Sequence, residues 1–212
     1  MIAVFTVYRD EPYFLPIWKK YYESQDFDTV IAIEDKHPVA FDHNYLTEFV
    51  RSKQRELLKT HEVVVYTDVD EIIISKQHET LGSYCRNIPV KTIKTTGYEV
   101  VGNKWVRYNR MDKPLISSVP LNWEHGYHGC PEPSVQDAEL ILLHLHRYNY
   151  EACKQRHKDR AKMNWDKIAV DTKLSFQNRI HEDAEFESWY HEDRDRLEDM
   201  PKELKEVLDN VV

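Results

Sequence analysis

The chain has 212 residues, 41% of them hydrophobic, enough for one large domain with a real core. Its net charge of −8 resides in residues 181–212, which hold 12 acidic and 4 basic side chains, so the rest is neutral. That balance argues against a nucleic-acid backbone as partner, and no apolar run approaches the ~20 residues that span a bilayer. Cys85, Cys130 and Cys153 are scattered and form no disulfide framework, which suits a reducing, cytoplasmic setting.

In chain order, IAVFTVY (2–8) is a short β-branched run and predicts a buried strand. It lacks the basic start and small-residue cleavage site of a signal peptide. The following RDEPYFLPIWKKYYESQ begins with turn chemistry and continues as a helix, with Pro12 and Pro16 in its first turns. TVIAIE (29–34) predicts a second strand ending at Asp35-Lys36-His37. Over 44–59, Leu46, Phe49, Val50, Leu57 and Leu58 share a helical face. EVVVYTD then predicts a third strand. Strand, helix, strand, helix, strand points to a parallel sheet with crossover helices, whose ligands bind outside the carboxyl ends of the strands. The second half predicts strands over 90–103, 113–120 and 138–146, and helices over 150–164 and much of 182–210. The expected fold class is α/β: a central mixed, mainly parallel sheet flanked by helices. We expect a nucleotide-binding half (1–110), an acceptor and metal half (111–180) and an acidic helical tail (181–212). The end at Asp209-Asn210-Val211-Val212 is compatible with a cut from a longer chain.

In the middle of the third apolar run stands YTDVDEII, residues 66–73. In a strand buried on both faces, aspartates at i and i+2 share one covered face, so both reach a ligand only where the strand has broken into a turn. Placed so, they suit a hard divalent cation that shares its shell with substrate phosphates. An Asp-x-Asp alone is weak; its position after a third strand and between apolar flanks strengthens it. A phosphohydrolase competes, because an apolar strand ending in Asp-x-Asp also resembles the haloacid dehalogenase phosphatases. Those place Thr or Val two residues after the second Asp, in the first strand; here Ile72 stands there, in the third. A non-catalytic nucleotide-sugar binder is a further alternative.

Taken together, VYRDEPYFLPIWKKYYESQDFDTVIAIEDK, RSKQRELL, YTDVDEII, KPLISSV, WEHGYHG and LHLHRYNYEACKQR resemble the GT-A glycosyltransferases, especially their family-2-like branch. The likeness covers about residues 1–160 and includes a viral branch in which such a domain begins a multidomain chain. It departs at Glu34-Asp35-Lys36-His37-Pro38, where the family has aspartate-asparagine before serine or threonine. The resemblance implies a GT-A fold and a UDP-sugar donor, with Mn²⁺ or Mg²⁺ bridging the diphosphate. It further implies transfer of a hexose or deoxyhexose, of glucose or rhamnose type, to a glycan acceptor, with a lean toward retention. By it, Asp70 is the first metal ligand, and Asp68 meets ribose or a metal-bound water, with Val69 between them. Thr6, Val7, Tyr8 and Arg9 line the nucleoside pocket, with Asp35 and Arg55 near the base or ribose. A late histidine completes the metal shell, for which His144 is preferred to His146. Lys154 matches the family's lysine and counters diphosphate charge, a role open also to Arg147 and Arg156.

For the acceptor side, Glu124 is the candidate base, beside an aromatic that can stack on a sugar, with His128 in the same glycine-containing turn. A zinc site of His125, His128, Cys130 and His144 matches no structural zinc spacing.

Overall fold

The computed structural model describes residues 1–88, 91–171, 175, 179–180 and 182–212. Val90 and His181, the first residues of an expected strand and of the expected tail, lie outside them. The chain opens with β1 (Ile2–Tyr8), α1 (Phe14–Glu23), β2 (Thr29–Glu34), α2 (His43–Leu57) and β3 (Val63–Tyr66). β4 (Glu71–Ser75), α3 (Leu81–Cys85), β5 (Thr92–Val101), β6 (Lys104–Arg107), β7 (Pro114–Ser117) and β8 (Val135–Arg147) follow. The C-terminal part is α4 (Tyr150–Ala161), α5 (Lys167–Asp171), α6 (Asp183–Tyr190), β9 (Glu198–Asp199) and α7 (Lys202–Val211).

The local signals explain the first elements. β1 is buried along most of its length, as a strand covered on both faces must be. α2 starts where the Asp42 side chain accepts a hydrogen bond from Tyr45 N, and α4 where Asn149 does the same for Ala152 N.

β1 runs parallel to β2 and β3, so the three strands release their carboxyl ends along one edge. The expectation of a mainly parallel sheet is corrected beyond that point. Among the described residues only β5–β8 adds a parallel pair, whereas β3–β7, β4–β8, β5–β6, β5–β7 and β6–β9 are antiparallel. Of these antiparallel pairs only β5–β6 is a tight hairpin; β3–β7 and β4–β8 join strands far apart in sequence, in a second half that lacks the regular crossover helices of a parallel sheet. The sheet is therefore mixed, open and flanked by helices, with strand order β2-β1-β3-β7-β5-β6-β9, β8 on β5 and β4 on β8.

The antiparallel pairs bring late residues to the early edge. β7 lies antiparallel to β3, so Lys113, just before β7, arrives beside the carboxyl end of β3. β8 places His144 opposite Glu71 of β4 and opposite Glu99 of β5. α1 fixes the β3–β4 turn from behind. Trp18 Nε1 donates to Thr67 Oγ1 at 2.8 Å, Tyr21 OH donates to Ile73 O at 2.6 Å, and Tyr22 OH accepts from Ile73 N at 3.1 Å. A smaller core of Val101, Cys153, Ile180, Phe186 and Tyr190 ties α6 to β5 and α4. No described helix is long and apolar enough to cross a membrane.

Candidate metal centre and its cavity

The carboxyl ends of β1, β2 and β3 open into a cavity of about 640 Å³. Volumes of roughly 300–1,000 Å³ are typical of ligand sites. Val7, Tyr8 and Arg9 line it from the end of β1, Asp35 from the end of β2, and Asp68, Val69 and Asp70 from the β3–β4 turn. His128 and His144 line it from the far side. Arg9 donates to Asp35 Oδ2 through Nε at 3.1 Å and Nη2 at 2.7 Å, and also reaches the His37 carbonyl. The cavity wall carries six cations (Arg9, Arg110, Lys113, Arg147, Arg156 and Arg160) and six carboxylates.

The two aspartates have different surroundings. Asp68 accepts from Lys113 Nζ at 2.7 Å and from Tyr66 OH at 2.9 Å. Asp70 is buried against Arg156, whose Nη1 lies 2.5 Å from its Oδ2. Burial alone would raise the Asp70 carboxyl, but Arg156 and then His144 outweigh it and hold the group well below the usual carboxylate range. Glu11 accepts from Arg156 Nη2 at 2.7 Å and from Arg160 Nη2 at 2.5 Å. Asp10, in the left-handed region at φ 48°, turns the chain that brings Glu11 there.

His144 and His146 stand two apart on β8, hence on one face. His144 Nε2 lies 3.7 Å and His146 Nδ1 3.9 Å from Asp70 Oδ2. Each ring has its other nitrogen occupied: His144 Nδ1 meets Glu99 Oε2 at 2.5 Å, and His146 Nε2 meets His157 Nε2 at 2.8 Å. The nitrogens left over are those that face Asp70. A carboxylate behind a metal-facing histidine is the usual device that fixes tautomer and ring orientation. Burial disfavours a charged His144 ring, but Glu99 and Asp70 outweigh it and lift the group to about 9. Asp70, His144 and His146 thus offer one ligand atom each, mutually within 4.8 Å. By donor type a carboxylate with two imidazoles suits Mn²⁺ better than Mg²⁺; to bind either, His144 would have to release its proton and Asp70 would have to share the oxygen that Arg156 holds.

His146, Cys153 and His157 form a second such group among the described residues. The two groups share His146, and Arg156 is close to both; the first group differs in containing a carboxylate, Asp70. After burial, Arg156 is the next influence holding His146 far below the ordinary histidine value, and Arg160 the next holding His157 down to about 3.

The structure leaves four sequence-derived candidates away from the cavity wall. Thr6 is wholly buried within β1. Arg55 sits on the outer face of α2, where Nη2 donates to Asn122 Oδ1 at 2.9 Å. Lys154 shares a face of α4 with Lys158, and both ammonium groups meet Asp183, at 3.3 and 3.2 Å; Arg156 and Arg160 occupy the face that meets Glu11. Glu124 is exposed outside the cavity, and the neighbouring Trp123 is a core residue whose Nε1 donates to Pro114 O at 2.7 Å, so it presents no sugar-stacking face. Asp68 lies in the cavity but outside the three-residue metal group. His128 lines the cavity and is lowered to about 4 by burial of its ring and then by Lys113, although the residue as a whole remains exposed.

Glu99, Lys113, Arg160, Trp189 and Glu192 also line the cavity and were not singled out from the sequence. Glu99 carries the one usable signal, a carboxylate inside the apolar strand TTGYEVV.

His157 gives a pH prediction. It is fully buried and its pKa falls from 6.5 to about 3, so the unfolded chain binds the proton more readily. Its contribution to stability is full above pH 6.5 and drains as pH falls toward 3. One such group contributes a slope of about 1.4 kcal/mol per pH unit. Urea unfolding of chelator-treated protein at a series of pH values between those limits should show it, and His157→Leu should flatten the slope by that amount. An unchanged slope in the variant would mean that His157 titrates normally.

No protein-family model matches the chain, and no curated protein matches it. The functional reading rests on the geometry above and on the resemblance of its motifs.

Proposed function

We propose that the protein is a metal-dependent glycosyltransferase of the GT-A type. It transfers a hexose or deoxyhexose, of glucose or rhamnose type, from a UDP-sugar to a glycan acceptor. The observation that carries this reading is the convergence of Asp70, His144 Nε2 and His146 Nδ1, beside the carboxyl end of β3, in a cavity that also holds Arg9 and Asp35. A hydrolase would need only phosphate contacts. Here the cavity extends from the metal group to the ends of β1 and β2, the place of a nucleoside in open α/β sheets.

The residues divide the work by chemistry. Asp35, its oxygens taken by Arg9 and by His37 N, fixes the Arg9 guanidinium at the nucleoside end of the cavity, with Val7 and Tyr8 beside it. Asp70, His144 and His146 would hold the ion, and Asp68 would meet a ribose hydroxyl beside it. When bound, a divalent cation supplies positive charge to the leaving diphosphate. Arg156, buried against Asp70, and Arg110 add fixed positive charge along the same path, where preorganised cations stabilise developing anionic charge better than water does.

Titration calorimetry of UDP and UDP-glucose, with and without Mn²⁺, tests the reading. Binding that strengthens at least about tenfold with Mn²⁺, roughly 1.4 kcal/mol, is expected. An absence of UDP binding under every condition, with p-nitrophenyl phosphate hydrolysed instead, would move the assignment to a phosphohydrolase.

A further inference from the structure

Transfer needs a place for the acceptor, and the acidic C-terminal segment reaches the cavity. Trp189 and Glu192 both line it. Trp189, at the end of α6, is half-buried; its indole packs 5.4 Å from His146 and 4.8 Å from His157, centroid to centroid. The Arg147 guanidinium lies 5.4 Å from the Trp189 ring, and Arg147 ties the segment down by donating to Trp189 O, Tyr190 O and, at 2.6 Å, Asp193 Oδ2. The same arginine reaches Glu99 Oε1 at 3.3 Å, and Glu99 holds His144. A continuous chain of contacts therefore fixes the segment relative to the metal group.

Glu192 differs from the other carboxylates of the wall. Glu11, Asp35, Asp70 and Glu99 have side chains 2 to 7% exposed, all in ion pairs, and Asp68 is 33% exposed but held by Lys113 and Tyr66. The Glu192 side chain is 48% exposed, and its one ion-pair contact is a long 3.6 Å to Arg147. Among the described residues it is the cavity carboxylate with oxygens open to an incoming ligand. Arg147, His146, His157 and Phe186 already surround the Trp189 ring, so what the half-buried indole adds to the cavity wall is apolar surface; together with the accessible carboxylate on the same wall it matches a pyranose, whose C–H groups pack on apolar surface while its hydroxyls donate to the oxygens.

We propose that Trp189 and Glu192 form the acceptor subsite and that it takes a neutral pyranose end of a glycan, rejecting uronic acids. The proposal rests on the glycosyltransferase reading for the word acceptor, while the sugar site itself is measurable without any donor. Glu192 excludes an acidic sugar because two carboxylates on one sugar-sized site repel, and Arg147, with its donors engaged by Glu99, Asp193 and backbone carbonyls, offers an acid little compensation.

Saturation-transfer NMR with methyl β-glucopyranoside and methyl β-glucuronide, on the whole chain in metal-free buffer, tests it. The neutral glycoside should saturate through its ring protons, and the uronide should bind about fivefold more weakly. Trp189→Ala should weaken the neutral glycoside about tenfold, the size of one aromatic platform, and Trp189→Phe should restore most of it. Glu192→Gln should bring the two glycosides level. Thermal melts establish that each variant is folded. The proposal is overturned if neither glycoside saturates the parent, if the folded Trp189→Ala binds as the parent does, or if the parent accepts the uronide equally. UDP titration of the parent is scored separately: its failure removes the glycosyltransferase reading and leaves a sugar site.

Discussion

Lys113→Met is expected to lower stability by about 3–5 kcal/mol at neutral pH, the range for removing one partner of a buried ion pair. Lys113 is 3% exposed and lies 2.7 Å from Asp68 Oδ2 and 2.6 Å from Glu71 Oε1; Glu71 is wholly buried. Burial opposes the lysine charge, yet Asp68 and Glu71 outweigh it and hold the ammonium protonated well above the usual range. Burial pushes the Glu71 carboxyl up, with Lys113 as its main restraint. Methionine nearly preserves the volume and deletes the charge, so two carboxylates face each other without a cation. In a chain of this size the loss corresponds to a fall of about 6–20 °C in Tm. The pH dependence separates charge from packing. Without Lys113 the folded Glu71 pKa rises further above its unfolded value of 4.5. A raised carboxyl contributes stability below the unfolded pKa and loses it as pH rises through the folded pKa. The deficit should therefore shrink toward pH 4–5, and Lys113→Met with Glu71→Gln should recover part of it. A deficit independent of pH in urea unfolding would assign the loss to packing alone.

How much of this was legible in the sequence depends on how local each signal is. β1 and β2 were expected over 2–8 and 29–34 and stand at Ile2–Tyr8 and Thr29–Glu34, because a short buried run between turn residues is a local signal. That the loops after β1, β2 and β3 share a ligand edge followed from topology, and Arg9, Asp35, Asp68 and Asp70 do meet in one cavity. The antiparallel half was not legible. Its partners depend on register between strands far apart in sequence, so neither Lys113 beside Asp68 nor Glu99 behind His144 could be read from spacing. Lys154 is expected at the site because it matches the lysine of the resembled family; the face of α4 that turns inward carries Arg156, the other cation open to that role, and Arg160. Trp123 looked like a sugar platform beside Glu124, but sequence cannot tell a buried tryptophan from an open one. Trp189 and Glu192 were hidden in a segment whose charge reads as a solvated surface; the contacts with Arg147, His146 and His157 that draw its end to the cavity are all long-range.

Asp70→Asn should abolish the Mn²⁺ dependence of UDP binding, returning affinity to the metal-free level, a loss of at least about tenfold, or roughly 1.4 kcal/mol. The three-residue group has a single carboxylate, and its removal leaves two imidazoles and no anionic ligand to hold a dication. The fold should survive the change better than it survives loss of Lys113, because Arg156 keeps Glu11 at 2.7 Å as a counter-charge and asparagine keeps an acceptor oxygen near Nη1. Glu99→Gln supplies the graded comparison. Glu99 lies behind His144 and does not belong to the three-residue group, so its substitution acts by loosening the ring and its tautomer. Losses of about 10–100-fold in metal affinity are usual for such partners. The two variants should therefore rank in that order in calorimetric Mn²⁺ titrations made in the presence of UDP, with melting temperatures confirming folded protein. Equal and undiminished Mn²⁺ affinity in both would remove the metal from Asp70 and His144. A loss in Glu99→Gln alone would place the ion on the histidine side of the cavity, away from the aspartate that ends the β3–β4 turn.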